Sequence, residues 1–332
     1  MHIPDNYLSP STCAVMAAVM VPIWKRAAAK TKEELSKKKM PLLGICAAFS
    51  FLVMMFNIPL PGGTTGHAIG AVLAAILLGP YEAVVAVTIA LAIQALFFGD
   101  GGILAFGANC FNMAFIMPFT GYYIYKFITS RFKGAKGEYA GAFIAGYIAI
   151  NVAAFIAAIE FGIQPMLFKD AAGFPLYCPY GLSASIPAMM IPHLLLAGFV
   201  EGGITAAVLG YIRKVSPSSM HQGSSVEFKP FYALIITLIA LVPLGLYAPG
   251  TAWGEWGVKE LKRITGHIPA GMEKGMNFGA LMPGYSVGGV SSNIGYIVSA
   301  ASGVALIAFL VWLLFIKKRR CANLKSMTHK SR

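Results

Sequence analysis

The chain has 332 residues, of which 57% are apolar and only 12% charged, with a formal charge of +13. Its mean hydropathy is +0.70, whereas soluble domains carry about 25% charged residues. A soluble globular fold is therefore excluded, and an all-α, polytopic transmembrane helical bundle is indicated. The positive charge does not call for nucleic acid, because the basic residues sit in short polar breaks between apolar runs, where a lipid bilayer explains them.

The opening MHIPDNYLSP has neither a basic n-region nor an apolar core and does not read as a secretory signal. A bilayer core of about 30 Å needs roughly 20 apolar residues per helix. On that measure spans are expected at about 11–28, 41–58, 66–80, 82–98, 103–126, 139–161, 183–212, 231–247 and 289–316, about nine helices in all. The third is short and starts in the Gly/Thr-rich PGGTTGHAIG. Four segments (25–39, 126–136, 213–229 and the tail from Lys317) hold 21 of the 26 Lys and Arg residues. By the positive-inside rule they are cytoplasmic, which sets the N-terminus outside and the C-terminus inside, and places MHIPDNYLSP, NIPLPGGTTGH and FFGDGG together on the extracytoplasmic face. RKVSPSSMHQGSSVEFKP is a polar Ser/Pro-rich linker. It divides the chain into a transmembrane domain (1–215), a linker (216–230), a two-helix unit with a long outer loop (231–320) and a basic cytoplasmic tail (321–332).

The five cysteines include no CxxC pair, which argues against a disulfide framework and a thiolate zinc site. The amino terminus offers different chemistry. An α-amine has a pKa near 7.7–8.0, so a neutral fraction is present at physiological pH. With histidine second, the Met1 amine, the His2 backbone amide and the His2 imidazole can close small chelate rings that favour a plane. An imidazole from elsewhere, such as His67, would complete four nitrogens, a geometry suited to Ni(II) or Cu(II) rather than zinc. Taken singly, His2 also fits a disordered surface residue and His67 a solvated loop histidine. Pro4 and Pro10 allow residues 1–10 to fold back into the protein, and the glycines of PGGTTGH suit close backbone approach.

At these residues a resemblance enters. MHIPDNYLSPSTCAVMAAVMVPIW, NIPLPGGTTGHAIGAVLAAILLGP and ALFFGDGGILAFGANCFNMA closely resemble the NikM/CbiM family, the nickel/cobalt substrate-capture subunits of energy-coupling-factor transporters. The likeness covers about residues 1–215, and the remainder resembles the small NikN-type component, here fused. The resemblance implies a membrane-embedded protein that captures Ni(II) or Co(II) as transported substrate from outside. A separate transmembrane coupling protein and ATPase subunits then drive release. It implies as ligands the Met1 amine, the backbone amide and side chain of His2, and His67. The MHIPD…LSP form is more typical of the nickel branch, the alternative being a cobalt-specific version serving cobalamin biosynthesis. Asn6 stands where the family usually has glycine, which puts the shape of the terminal loop in question. No GxxxxGK[ST] occurs, so no ATP site is expected in this chain, and no HExxH motif marks a metalloprotease. The protein therefore reads as a transport subunit and not an enzyme.

Other residues carry two readings. Asp100, Gln94, Asn57 and Asn109 are candidates to orient the ligands, Asp100 and Gln94 by holding His67 or Asn57; the alternative is a hydrated loop tip. His193 and Glu201, eight apart on one helix, form either a polar path or a repair of backbone freed by Pro192 and Gly202–Gly203. Ala14 and Ala18 make a small-xxx-small pattern for partner docking, a pattern frequent by chance. Met54, Met55 and Met113 suit core packing better than a metal path, and His221, His267 and His329 are expected to be solvated. The rival function is a self-sufficient secondary metal transporter, which usually shows midplane ionisable residues and inverted repeats. A membrane-anchored sensor or enzyme would need a soluble domain that is missing.

Overall fold

The computed structural model describes residues 1–34, 40–216, 227–248 and 250–330; His221 and most of the expected linker lie outside them. Among the described residues nine helical runs form the bundle: α1 (Pro10–Glu34), α2 (Met40–Met54), α3 (Ala71–Leu78), α4 (Pro80–Phe98), α5 (106–131), α6 (Ala135–Gly162), α7 (Leu182–Val215), α8 (Lys229–Tyr247, its last turn a 3₁₀ helix) and, after a short surface helix α9 (Val258–Thr265), the terminal α10 (Ser292–Lys330). Among the described residues α1, α4, α6, α7, α8 and α10 are long and apolar enough to cross a membrane. The chain is a multi-pass helical membrane protein.

The third expected span needs correction. Instead of a helix over 66–80, the chain makes a hairpin, β1 (Ile58–Leu60) antiparallel to β2 (Thr64–Gly66), and then runs without regular structure to α3, which has only eight residues, about 12 Å of helix. Gly62 and Gly63, with φ of 93° and 76°, make the hairpin turn; they supply left-handed backbone there and not the expected close approach to another segment. Irregular backbone within a membrane bundle survives only where protein satisfies it, and Ala68, Ile69 and Gly70 are buried.

Glu201 on α7 provides that satisfaction. Its fully buried carboxylate accepts the Ile69 N–H at 2.7 Å and the Gly70 N–H at 3.1 and 3.2 Å, capping the unpaired donors at the start of α3. His193 repairs its own helix, its Nδ1 donating to the Met189 carbonyl at 2.7 Å where Pro192 leads into a π-helical stretch, His193–Ala197. The structural reading of both residues holds, although Glu201 serves a different helix from its own. Close approach of α6 and α7 at Gly146 and Gly202, where a side chain would strike backbone, brings the carboxylate within reach.

Most apolar burial lies in one core among α2, α3, α4, α6 and their neighbours, and Met54, Met55 and Met113 are part of it. A second, smaller core gathers Ile3, Tyr7 and Leu8 with Cys13, Ala105, Phe161, Cys178, Leu261 and Met272. The amino-terminal segment is thus a packed plug and not a tail. Cys13, Cys46, Cys110 and Cys178 are buried and unbridged.

Replacing Glu201 with alanine should leave buried N–H groups at the start of α3 unpaired, at about 1–3 kcal/mol each. Thermal unfolding of the detergent-solubilised protein should show a clear drop in midpoint for Glu201→Ala and a smaller one for Glu201→Gln; an unchanged midpoint in the alanine variant would contradict the capping role.

Candidate metal centre

The first residues are drawn inward by a set of directed bonds. Asn109, at the start of the π-helical stretch in α5, grips Ile3 at both backbone groups: its Oδ1 accepts the Ile3 N–H at 2.7 Å and its Nδ2 donates to the Ile3 carbonyl at 3.0 Å. Gly102 donates to the same carbonyl at 2.8 Å. The Asp5 carboxylate accepts the Ile103 and Leu104 N–H groups at 3.0 and 2.7 Å. A Cβ on Gly102 would lie 2.5 Å from the Asp5 nitrogen, and one on Gly101 would press on the His2 ring, so the glycines after Asp100 make room for the terminal segment. Asn6 adopts φ 69°. The position requires left-handed backbone, which asparagine tolerates better than most residues, and the Asn6 amide uses its side chain to donate to the Met276 carbonyl at 2.9 Å.

These bonds deliver His2 to His67. His2 is 2% and Met1 6% exposed. His67 Nε2 faces His2 Nδ1 at 3.3 Å, with ring centroids 5.0 Å apart. His67 Nδ1 lies 3.1 Å from the Ala68 carbonyl; a proton on Nδ1 donated there leaves the Nε2 lone pair directed at His2. The Ile3 amide has its acceptor, but among the described residues the His2 amide N–H donates to none. His2 Nε2 is likewise buried without a partner.

Asp100 and Gln94 also reach the site, differently from expectation. Asp100 Oδ1 lies 3.2 Å from His2 Nδ1, so it addresses His2 and not His67. Its other oxygen takes hydrogen bonds from Gln94 Nε2 at 3.1 Å and from the Tyr285 hydroxyl at 2.5 Å, and Gln94 Nε2 also donates to that hydroxyl at 2.9 Å. Burial, reinforced by the Asp100 carboxylate, holds the Tyr285 phenol well above its usual range, so it stays a donor. Asn57 makes no side-chain hydrogen bond to either histidine; its backbone N–H closes a turn onto the Met55 carbonyl ahead of β1. His267 is exposed beside Phe174. Ala14 and Ala18 lie exposed on α1 beside Val15 and Val19, on a face that no element of this chain covers among the described residues.

Sequence reasoning missed the roof. The long loop of the C-terminal unit covers the plug: Trp253 and Trp256 pack on each other and on Tyr180, the Tyr7 hydroxyl donates to the Trp256 carbonyl at 2.8 Å, and the Trp253 N–H donates to Thr64 Oγ1 at 2.7 Å. From this roof Glu255 accepts a hydrogen bond from the Met1 amine at 2.8 Å. The aromatic-rich TAWGEWG was the available signal, but nothing local ties it to residue 1.

Comparison with known proteins gives the family. A family model for the "Cobalt uptake substrate-specific transmembrane region" matches residues 2–219, and a PDGLE-domain model matches residues 229–320. The chain belongs to this family. It is a NikM/CbiM-type protein with a NikN-like unit fused at its C-terminal end. It is 47% identical to a probable fused nickel transport protein, LarMN, of Lactiplantibacillus plantarum over 94% of this chain and 96% of that one. It is 44% identical to the fused nickel transport protein NikMN of Rhodobacter capsulatus over 92% and 95%. A crystal structure of a truncated transition metal transporter aligns with a TM-score of 0.62 at 55% identity, covering 64% of this chain and 99% of that one.

Because Asn109 fixes both backbone groups of Ile3, Asn109→Ala should weaken Ni(II) binding by about 10–100-fold, as loss of a ligand's supporting partner does. Competition titration of the purified protein checks this, with His267→Ala expected to bind as the unaltered chain does. Equal affinity in Asn109→Ala would contradict the clamp.

Proposed function

We propose that the protein captures Ni(II), or Co(II), at the extracytoplasmic face in a planar site of four nitrogens, and serves as the substrate-binding component of an ATP-driven energy-coupling-factor uptake complex. The ligands are the Met1 amine, the His2 amide and Nδ1, and His67 Nε2. The observation that carries the reading is the buried juxtaposition of His2 Nδ1 and His67 Nε2 at 3.3 Å beside the terminal residue. Among the described residues no group of three or more His, Cys, Asp or Glu side chains can hold a metal, so a cation held here needs the backbone and amine nitrogens as well. The acceptor-free His2 amide suits a nitrogen that gives its proton up to a metal.

Such a site takes a metal by exchanging protons for it: the ammonium and the amide each release one, and a proton on His2 Nδ1, within reach of Asp100, moves to the unpartnered Nε2 so that the Nδ1 lone pair is free for the cation. Four nitrogens in a plane favour Ni(II) among the divalent ions normally supplied for uptake, though Cu(II) would bind more tightly at such a site if present. The nickel-transport relatives support nickel over cobalt. The exposed Ala14/Ala18 face of α1 is the proposed seat of the separate transmembrane coupling protein, whose ATPase partners supply the energy.

Replacing His2 with alanine should abolish the site, because the imidazole that closes the second chelate ring is lost. After exposure to equal Ni(II) and Co(II), mass spectrometry should find about one metal per native chain and nearly none in His2→Ala or in His67→Ala; equal loading of all three would refute the ligand set. Because the metal displaces protons from the amine and the amide, affinity should fall as the pH is lowered. Affinity independent of pH would point to other donors.

A further inference from the structure

We infer that Glu255, in the long loop of the C-terminal unit, is a positioning residue for the metal: it fixes the rotation of the Met1 amine so that the amine's lone pair faces the histidine nitrogens. The inference rests on the four-nitrogen reading and adds to it a residue outside the capture domain.

A terminal amine is the least constrained of the four donors. The His2 amide is held through Ile3 by Asn109 and Gly102, and His67 is held by its own Nδ1 contact and by the capped start of α3. The amine turns freely about its Cα–N bond unless something takes one of its hydrogens. Glu255 Oε1 does so at 2.8 Å. A primary amine bound to a metal keeps two N–H groups, so this hydrogen bond persists when the cation is in place, and Glu255 need not become a ligand itself.

The carboxylate is mounted for the purpose. It stands between Trp253 and Trp256, its own N–H donating to the Ala252 carbonyl at 3.0 Å. The two indoles pack with Tyr180, and Trp253 also meets Phe161 edge to face at 5.7 Å. The same short loop bonds to Tyr7 in the terminal segment and to Thr64 in the strand that leads to His67. Glu255 is thus anchored to both segments that carry ligands, and its distance to Met1 is set by packing on either side of it.

Two conservative variants of the full chain separate position from charge. Glu255→Asp keeps the charge but draws the acceptor back by one methylene; Glu255→Gln keeps an acceptor at full reach without the charge. With Ni(II) as the probe, competition titration should show Glu255→Asp weaker by about 10–100-fold and Glu255→Gln closer to the native value, with the visible spectrum of bound nickel the same in all three. The inference is overturned if Glu255→Asp binds like the native chain, if Glu255→Gln is the weaker of the two, or if either spectrum changes, which would make Glu255 a ligand. His67→Ala, run alongside, reports on the underlying reading: if it binds nickel as tightly as the native chain, the four-nitrogen site has failed, whatever Glu255 does.

Discussion

An amino terminus carried into a protein interior brings a charge and a series of backbone donors and acceptors, each costly unless paired. The architecture around residues 1–10 is arranged to meet that cost. Asn109 and Gly102 take the groups of Ile3, Asp5 turns back to the loop after α4, the Cys178 N–H takes the Tyr7 carbonyl, Gln164 accepts the Ser9 N–H, and Glu255 takes the amine. These partners come from the connection between α4 and α5, the first turn of α5, the segment between α6 and α7, and the C-terminal unit. Apolar burial of Ile3, Tyr7 and Leu8, at roughly 1.5–3 kcal/mol for a large side chain, supplies the adhesion, and the polar bonds set the register. What is left over is informative: among the described residues the His2 amide has no acceptor, and its imidazole faces a second imidazole.

The same economy governs His67. It emerges from a hairpin into irregular backbone, whose N–H groups at Ile69 and Gly70 are taken by a buried carboxylate from α7 and whose Ile69 carbonyl accepts the Ser50 hydroxyl at 2.7 Å. A rigid capped helix start on one side and a packed terminal plug on the other hold the two rings at contact distance. Three of the helices near the site contain π-helical stretches, beginning at Gln94, Cys110 and His193. Such widened turns are frequent at functional sites; here Gln94 and Asn109, at the edge of two of them, point their amides at the terminal segment and its partners.

Much of this was legible in the sequence. Apolar run lengths gave the helices, and the terminal motif with its matching histidine gave the candidate ligands. The span at 66–80 was misjudged because composition does not distinguish a buried extended segment from a helix, and the capping Glu201 lies 131 residues from Gly70 in the chain. Asp100 was recognised as a partner but assigned to the wrong ring, since its distance to either histidine depends on how the FFGDGG turn folds. Glu255 and Tyr285 were invisible for a plainer reason. Their partners lie 254 and 185 residues away, and no periodicity links a loop of the C-terminal unit to residue 1. In consequence the fused unit, which the sequence presents as an appendage, forms the roof of the site.

The central claim is that the buried amino terminus is itself the metal cage. X-ray absorption at the nickel edge, on the intact protein loaded with one equivalent of Ni(II) in detergent, addresses it most directly. The expected result is a planar centre with four nitrogen neighbours and no sulfur. Six oxygen or nitrogen neighbours, or a sulfur neighbour from a methionine or cysteine, would contradict it.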